Sequence, residues 1–156
     1  MEYCYYDSPV GRLLIGGTGK LEFISFSKGK FLYTPQPDWV YATQPFSDAL
    51  SQLAAYFQGK LTQFSLETAP EGTEFQRRVW QALKKIPYGT TISYGELARR
   101  IGNPKASRAV GMANAKNPIP IVIPCHRVIG KNGRLVGFGG GLDIKEKLLA
   151  LEQQAA

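Results

Sequence analysis

Metal-ligating side chains are scarce in this chain. Its 156 residues include two cysteines, Cys4 and Cys125, and one histidine, His126. A structural zinc site usually takes four Cys or His ligands, so neither a metal nor any other cofactor is expected. Two cysteines can pair only once, and a cytosolic setting keeps them reduced. Long apolar runs are also missing: none approaches the roughly 20 residues that cross a bilayer. The opening stretch MEYCYYDSPVG has no basic segment followed by an apolar one, so a secretory leader is not expected. A cytoplasmic, nucleoid-associated protein fits these absences. The length suits one core, or a small lobe beside a larger one.

Acidic residues are scarce in one region. Residues 74–134 carry twelve Lys and Arg against only Glu74 and Glu96, a net +10, whereas residues 1–73 are at −2 and residues 135–156 at −1. Charge concentrated in this way suits a polyanionic partner, although a solvated basic face would have the same composition.

The pattern of elements predicts an α+β fold in two parts, with residues 1–73 as a small α+β domain and linker and 74–156 as a mostly helical domain. EYCYYDS, RLLIGGT and KLEFISFS are short runs separated by Pro-Val-Gly and Gly-Thr-Gly turns, which predicts a small antiparallel sheet. Leu50, Leu53, Ala54 and Phe57 recur at i, i+3, i+4 and i+7 and predict one helix closed by Gly59. GKLTQFSLETAPEGT then reads as a linker whose Leu61, Phe64 and Leu66 pack in passing.

In the second part, Thr73-x-x-Gln76 is a capping box opening a helix that buries Phe75, Val79, Leu83 and Ile86. Ser93-x-x-Glu96 opens a second helix, broken at Gly102-Asn103-Pro104. A third runs from about Lys105 to Ala115. Two short helices across a Gly-containing turn form a helix-turn-helix pattern, which an ordinary helical hairpin would share. The third helix is almost all small residues apart from Arg108, Val110 and Met112. A major-groove reader offers several long polar side chains; a helix stripped to small ones can press into the minor groove and insert one arginine. Further on, Asn132-Gly133 predicts a tight hairpin, and Asp143 is placed as N-cap of a last helix burying Ile144, Leu148 and Leu151. The Gly-rich stretch before that helix lacks the context of a phosphate cradle and reads as a flexible loop bordering a pocket.

The chemistry concentrates in PIPIVIPCHRVIG, residues 118–130, where Cys125 and His126 are adjacent. A basic surrounding and a neighbouring base favour a reactive thiolate. In an extended segment, successive side chains point to opposite faces, so a turn or a water must connect the two. The β-branched run before Pro124 predicts that Cys125 stands at the end of a rigid strand. Glu152 and Glu96 are both candidates to orient His126. A buried structural thiol beside an interior histidine is the alternative.

NPIPIVIPCHRVIG resembles the active-site signature of the O6-alkylguanine-DNA alkyltransferases, the methylated-DNA–protein-cysteine methyltransferases. The resemblance extends to GTTISYGELA, GNPKASRAVGMANAKNPIP and GGGLDIKEKLLALE, covering roughly residues 74–152. It implies a suicidal repair transferase that flips O6-alkylguanine out of duplex DNA, with O4-alkylthymine as a second lesion. The protein would act as a monomer and approach through the minor groove. Cys125 would accept the alkyl group, His126 would act as base through a water, Glu152 would stand behind His126, and Asn117 would hold the turn before the active-site strand. Tyr94 would press on the phosphate and assist the leaving guanine, and Arg108 would fill the gap in the stack. The implied DNA contacts are Ser93, Tyr94, Asn103, Ala106, Arg108 and Arg127; the implied pocket is Pro120, Val128, Phe138 and Gly139. Phe138 stands where many relatives have tyrosine and Gly139 where some have serine, which leaves the Gly139 N–H to serve O6. The zinc ligands of some relatives are absent. A lesion-binding protein with an idle cysteine and a Cys-His hydrolase are the competing readings; a sister group of binders carries tryptophan in place of the cysteine.

Overall fold

The computed structural model describes residues 1–136 and 138–155. Strands β1 (Glu2–Ser8) and β2 (Gly11–Gly17) form a hairpin in full register from Glu2–Gly17 to Ser8–Gly11. Its turn needs Gly11, whose φ of 104° is open to glycine. β3 (Phe23–Ser25) adds antiparallel to β2, and β4 (Val40–Tyr41) adds to the far side of β1. β4 is parallel, so the expectation of a wholly antiparallel sheet is corrected at this edge. The chain returns along residues 26–39 before joining, and Val40 and Ala42 donate to the carbonyls of Met1 and Tyr3.

Helix α1 (Ser47–Phe57) covers the sheet, but not with the stripe predicted from periodicity. Its fully buried residues are Ala49, Leu53 and Tyr56, while Leu50 and Phe57 are only partly covered. The same i, i+4, i+7 spacing is offset by one position, which carries a tyrosine inward. Residues 59–73 form the connecting segment, where Leu61, Phe64 and Leu66 pack against the core.

Helix α2 (Glu74–Leu83) opens on the predicted capping box, with both Thr73–Gln76 hydrogen bonds formed. It buries Val79, Trp80 and Leu83, and the Trp80 indole donates to the Ala113 carbonyl at 2.9 Å. That bond fastens α2 to helix α4 (Ser107–Ala115). Helix α3 (Tyr94–Arg100) is capped by Ser93, whose hydroxyl accepts from Glu96 N–H at 3.0 Å. Gly102 at φ 81° makes the turn between α3 and α4. The final helix, α5 (Leu142–Ala155), begins one residue before the expected cap. Asp143 therefore lies in its first turn, with its carboxylate paired to Lys28 at 2.7 Å. None of the described helices is long and apolar enough to cross a membrane.

The segment before Cys125 is a second correction. Residues 118–124 do not form a strand: Ile121 has φ 75°, and Ile123 N–H donates back to the Ile119 carbonyl at 2.9 Å. The short strand lies beyond the cysteine, as β6 (Val128–Ile129), paired parallel to β5 (Ile92–Ser93). Asn132 and Gly133, at φ 65° and 79°, form the tight turn, and Gly130 N–H closes it on the Arg134 carbonyl at 2.6 Å. The two parts of the chain share one core, from Cys4 and Leu13 through Val79 and Ile119 to Leu148. Ile24 N–H to the Pro118 carbonyl (2.8 Å) and Lys30 N–H to the Gly139 carbonyl (2.6 Å) join them at the backbone.

Candidate active site

A β-branched residue in the left-handed region costs of order 1–3 kcal/mol, so the loop at Ile121 must be held by its surroundings. Asn117 does much of the holding. Its Nδ2 donates to the Ile123 carbonyl at 2.7 Å and its Oδ1 accepts from Ile119 N–H at 3.0 Å, satisfying two buried backbone groups. The chain then enters one turn of 3-10 helix over Cys125–Arg127, and all three side chains are buried. From α4, Asn114 Nδ2 donates to the Cys125 carbonyl at 3.2 Å. Two asparagines that precede the loop thus hold its backbone and that of the cysteine.

Within this turn the three side chains diverge. No hydrogen bond links Cys125 Sγ to either nitrogen of His126 among the described residues. His126 Nε2 instead meets Glu152 Oε2 at 2.6 Å, and its Nδ1 has no protein partner among those residues. Arg127 grips the same carboxylate, Nε to Oε1 at 2.8 Å and Nη2 to Oε2 at 3.0 Å, while its Nη1 donates to the Ile86 carbonyl at 2.7 Å. Tyr56, from α1, donates its hydroxyl to Oε2 at 2.6 Å. Of the two acids that could orient His126, Glu152 does so. Glu96 is on the surface, bonded to Arg99 and near Arg100.

The electrostatics follow from this packing. Burial alone would push the Glu152 carboxyl up, but hydrogen bonds from His126, Arg127 and Tyr56 outweigh it and hold the group well below the usual carboxylate range. Burial also pushes His126 down against the pull of Glu152, which leaves a neutral imidazole beside an ionised carboxylate. With its Nε2–H donated to that carboxylate, the ring presents a lone pair at Nδ1. Burial raises the Cys125 thiol to about 11, opposed by Asn117 and by the charge of Lys145. At neutral pH the thiol therefore keeps its proton until a base removes it.

Lys145 is buried on α5, and its Nζ donates to the carbonyls of Val128 (2.6 Å) and Val136 (2.9 Å). Burial lowers it to about 8, and the neighbouring Cys125 raises it in return. It ties β6 and the following loop to α5 and sets a positive charge near the thiol. Tyr94 donates its hydroxyl to the Val136 carbonyl at 2.9 Å, and burial followed by the Cys125 charge lifts it to about 12, so the phenol keeps its proton.

Cys125 lines a narrow cleft together with Asn117, Pro120, Phe138 and Gly139, and with Phe31 and Tyr33 from the first part of the chain. Val128, expected in the pocket, is not among the residues that line the cleft: its side chain is buried in the core and its carbonyl accepts from Lys145. Ser93 and Tyr94 are half-covered at the start of α3. Asn103 and Arg108 are exposed across the helix-turn-helix, with Ala106 half-covered. Arg127 is the exception: placed among the DNA contacts from sequence, it is 6% exposed and committed to Glu152. Two carboxylate-facing bonds and a backbone acceptor leave it no reach to the surface.

Three residues of the site escaped the sequence reading. Lys145 and Tyr56 sit in amphipathic helices where a lysine or tyrosine ordinarily faces water, and Asn114 is, with Ser107, one of two small polar residues on α4. Nothing in the periodicity of α1 marks Tyr56, since its one-position offset is visible only in the fold.

Two family models together match nearly the whole chain: "6-O-methylguanine DNA methyltransferase, ribonuclease-like domain" over residues 1–70, and "6-O-methylguanine DNA methyltransferase, DNA binding domain" over residues 74–154. The methylated-DNA–protein-cysteine methyltransferase of Methanosarcina acetivorans is 55% identical over 153 residues, covering 97% of this chain and 98% of that protein. Its counterpart from Mycolicibacterium paratuberculosis is 51% identical, covering 99% and 93%. The crystal structure of Mycobacterium tuberculosis OGT in complex with DNA superposes with a TM-score of 0.92 at 48% identity, covering 100% of this chain and 95% of that one.

Proposed function

The chain belongs to the 6-O-methylguanine DNA methyltransferase family, and from that premise we propose how its own residues carry out the transfer. It is a DNA-repair transferase that moves an alkyl group from DNA to a cysteine of its own. The buried set Cys125, His126 and Glu152 carries this reading: a thiol, a neutral imidazole with a free Nδ1, and an ionised carboxylate behind it.

Cys125 is the acceptor. A water relays its proton to His126 Nδ1, and the imidazolium is stabilised by Glu152. The thiolate then attacks the alkyl carbon in line with the C–O6 bond. A C–S bond forms, the C–O6 pair goes to the guanine, and the guanine takes back a proton. The sum is an S-alkyl cysteine and an unmodified base. Nothing in the site hydrolyses a thioether, so each molecule acts once.

Tyr94, which keeps its phenol proton to about pH 12, donates to the departing guanine. The Gly139 N–H serves O6, and Pro120 and Phe138 bound the alkyl group. Asn117 holds the loop that presents the thiol. A buried thiol cannot reach a base within the stack, so the lesion is rotated out. Arg108, exposed on a helix of small residues, enters the minor groove and fills the gap, while Ser93, Asn103 and Ala106 line the backbone path. The basic charge of residues 74–134 supplies affinity independent of sequence. Residues 1–73 form the supporting domain and 74–156 the DNA-binding and transfer domain. A DNA partner places the working protein on the nucleoid.

The test is intact mass after exposure to O6-benzylguanine. One benzyl group on Cys125 is expected, and none on a Cys125→Ala variant that still binds alkylated DNA. Benzylation of that variant, or turnover with release of the group, would overturn the assignment.

A further inference from the structure

Among the described residues of the first part of the chain, Tyr56 reaches the Glu152 carboxylate behind His126. We propose that Tyr56 is a positioning residue for the alkyl transfer, its hydroxyl setting how strongly Glu152 draws on His126. The proposal rests on the reading of Cys125 as acceptor and His126 as its base.

Glu152 Oε2 receives three donors: Tyr56 Oη and His126 Nε2, each at 2.6 Å, and Arg127 Nη2 at 3.0 Å. Tyr56 is fully buried. Its ring is held against Phe57, Phe64 and Tyr88, with centroids 5.2, 5.5 and 6.2 Å away, so the hydroxyl is delivered at a fixed place. A phenol facing an ionised carboxylate can only donate, and every donor on Oε2 spreads its charge and weakens its hold on the neighbouring proton.

The groups around the pair are few. Glu152 is faced by Tyr56 from α1, Tyr88 and the Gly89 N–H from the turn after α2, and His126 and Arg127 from the active-site turn. His126 is faced by Glu152, Arg127 and Lys145. Of these, Lys145 titrates at about 8, which places its effect on the alkaline side. The acid side belongs to His126.

The sign follows. Without the Tyr56 hydroxyl the carboxylate is more basic, imidazolium is favoured, and His126 takes its proton at higher pH. Only neutral His126 can accept the thiol proton. The loss of rate is therefore confined to acid pH and closes as pH rises.

This can be read from benzyl uptake by the full-length protein from free O6-benzylguanine, which removes DNA docking from the measurement. The rate is followed from about pH 5.5 to about 8.5, spanning the histidine range. In Tyr56→Phe the acid limb is expected to move up by about half to one pH unit, a roughly three- to tenfold deficit at the acid end. Adding Tyr56→Phe to Glu152→Gln is expected to move the limb no further, because no ionised oxygen remains to be tuned. Site-specific 3-fluorotyrosine at Tyr56, a stronger donor that preserves the packing, is expected to move it down.

A deficit uniform in pH, an unmoved limb in both Tyr56 variants, or a further shift in the double variant would overturn the role of Tyr56. Failure of the unaltered protein to take benzyl at Cys125 would instead overturn the transfer reading, and this proposal with it.

Discussion

Arg127 and Glu152 form a bidentate ion pair inside the protein, at 2.8 and 3.0 Å, with neither side chain more than 7% exposed. The pair joins the residue two positions after the cysteine to the last helix. It also determines what His126 can do, because the oxygen that orients the imidazole is one that Arg127 holds. Its value to the fold lies less in its own energy than in the cost of leaving one partner behind.

Replacing Arg127 by Ala should therefore destabilise the protein by about 3–5 kcal/mol, the usual penalty for an uncompensated buried charge. Arg127→Lys should recover only part of this, since an ammonium cannot make the forked contact. Chemical denaturation gives both values. The salt dependence of DNA binding by folded Arg127→Lys should match that of the unaltered protein, because the side chain is buried on Glu152.

Arg108 should behave in the opposite way. The side chain is exposed, so Arg108→Ala should leave the melting temperature nearly unchanged. Transfer from a duplex should slow on the order of tenfold or more as the wedge against restacking is lost, while transfer from free O6-benzylguanine should hardly change. Equal losses on the two substrates would remove the wedge role.

Lys145→Met should leave the Val128 and Val136 carbonyls without their donor, at a cost of about 1–3 kcal/mol. It should also remove the positive charge that opposes burial at Cys125, raising the thiol further and slowing benzyl uptake at every pH below its titration. Thermal melting and the uptake rate read the two effects separately.

Stability should fall with acid in two stages. His126 has its folded pKa below the unfolded value of 6.5, so the unfolded chain takes up a proton first and destabilisation begins as pH drops below about 6.5. Glu152 is likewise depressed, so its contribution is intact above 4.5 and is lost as pH falls further toward its folded value. Denaturation midpoints between about pH 8 and about pH 3 should show both steps, and Glu152→Gln should remove the lower one.

How much of this was readable in advance differs from one element to another. The capping box at Thr73 and the two short helices across a Gly-containing turn rested on local chemistry and spacing, and both are formed. Glu152 and Glu96 stayed equal candidates beside His126 until the fold brought Glu152 to its Nε2. The run Ile121–Val122–Ile123 misled, because β-branched residues favour strands and nothing local signalled that Asn117 would pull the chain into a loop with Ile121 at positive φ. The offset of α1 misled for a similar reason. Leu50 and Phe57 are more apolar than Ala49 and Tyr56, so periodicity favours them, whereas the Tyr56 hydroxyl is drawn inward to the Glu152 carboxylate.

The sequence by itself singled out the adjacent Cys125 and His126, the basic region and the helices around them, since each depends on residue type and near spacing. The tertiary structure alone decided that Arg127 is buried on Glu152, that Lys145 donates to the Val128 and Val136 carbonyls, and that Tyr56 reaches Glu152 from the first part of the chain. Those outcomes depend on which buried charges meet across the fold. Tyr56 and Glu152 are 96 positions apart in the chain and 2.6 Å apart in space. Charge and hydrogen bonding act over the second distance.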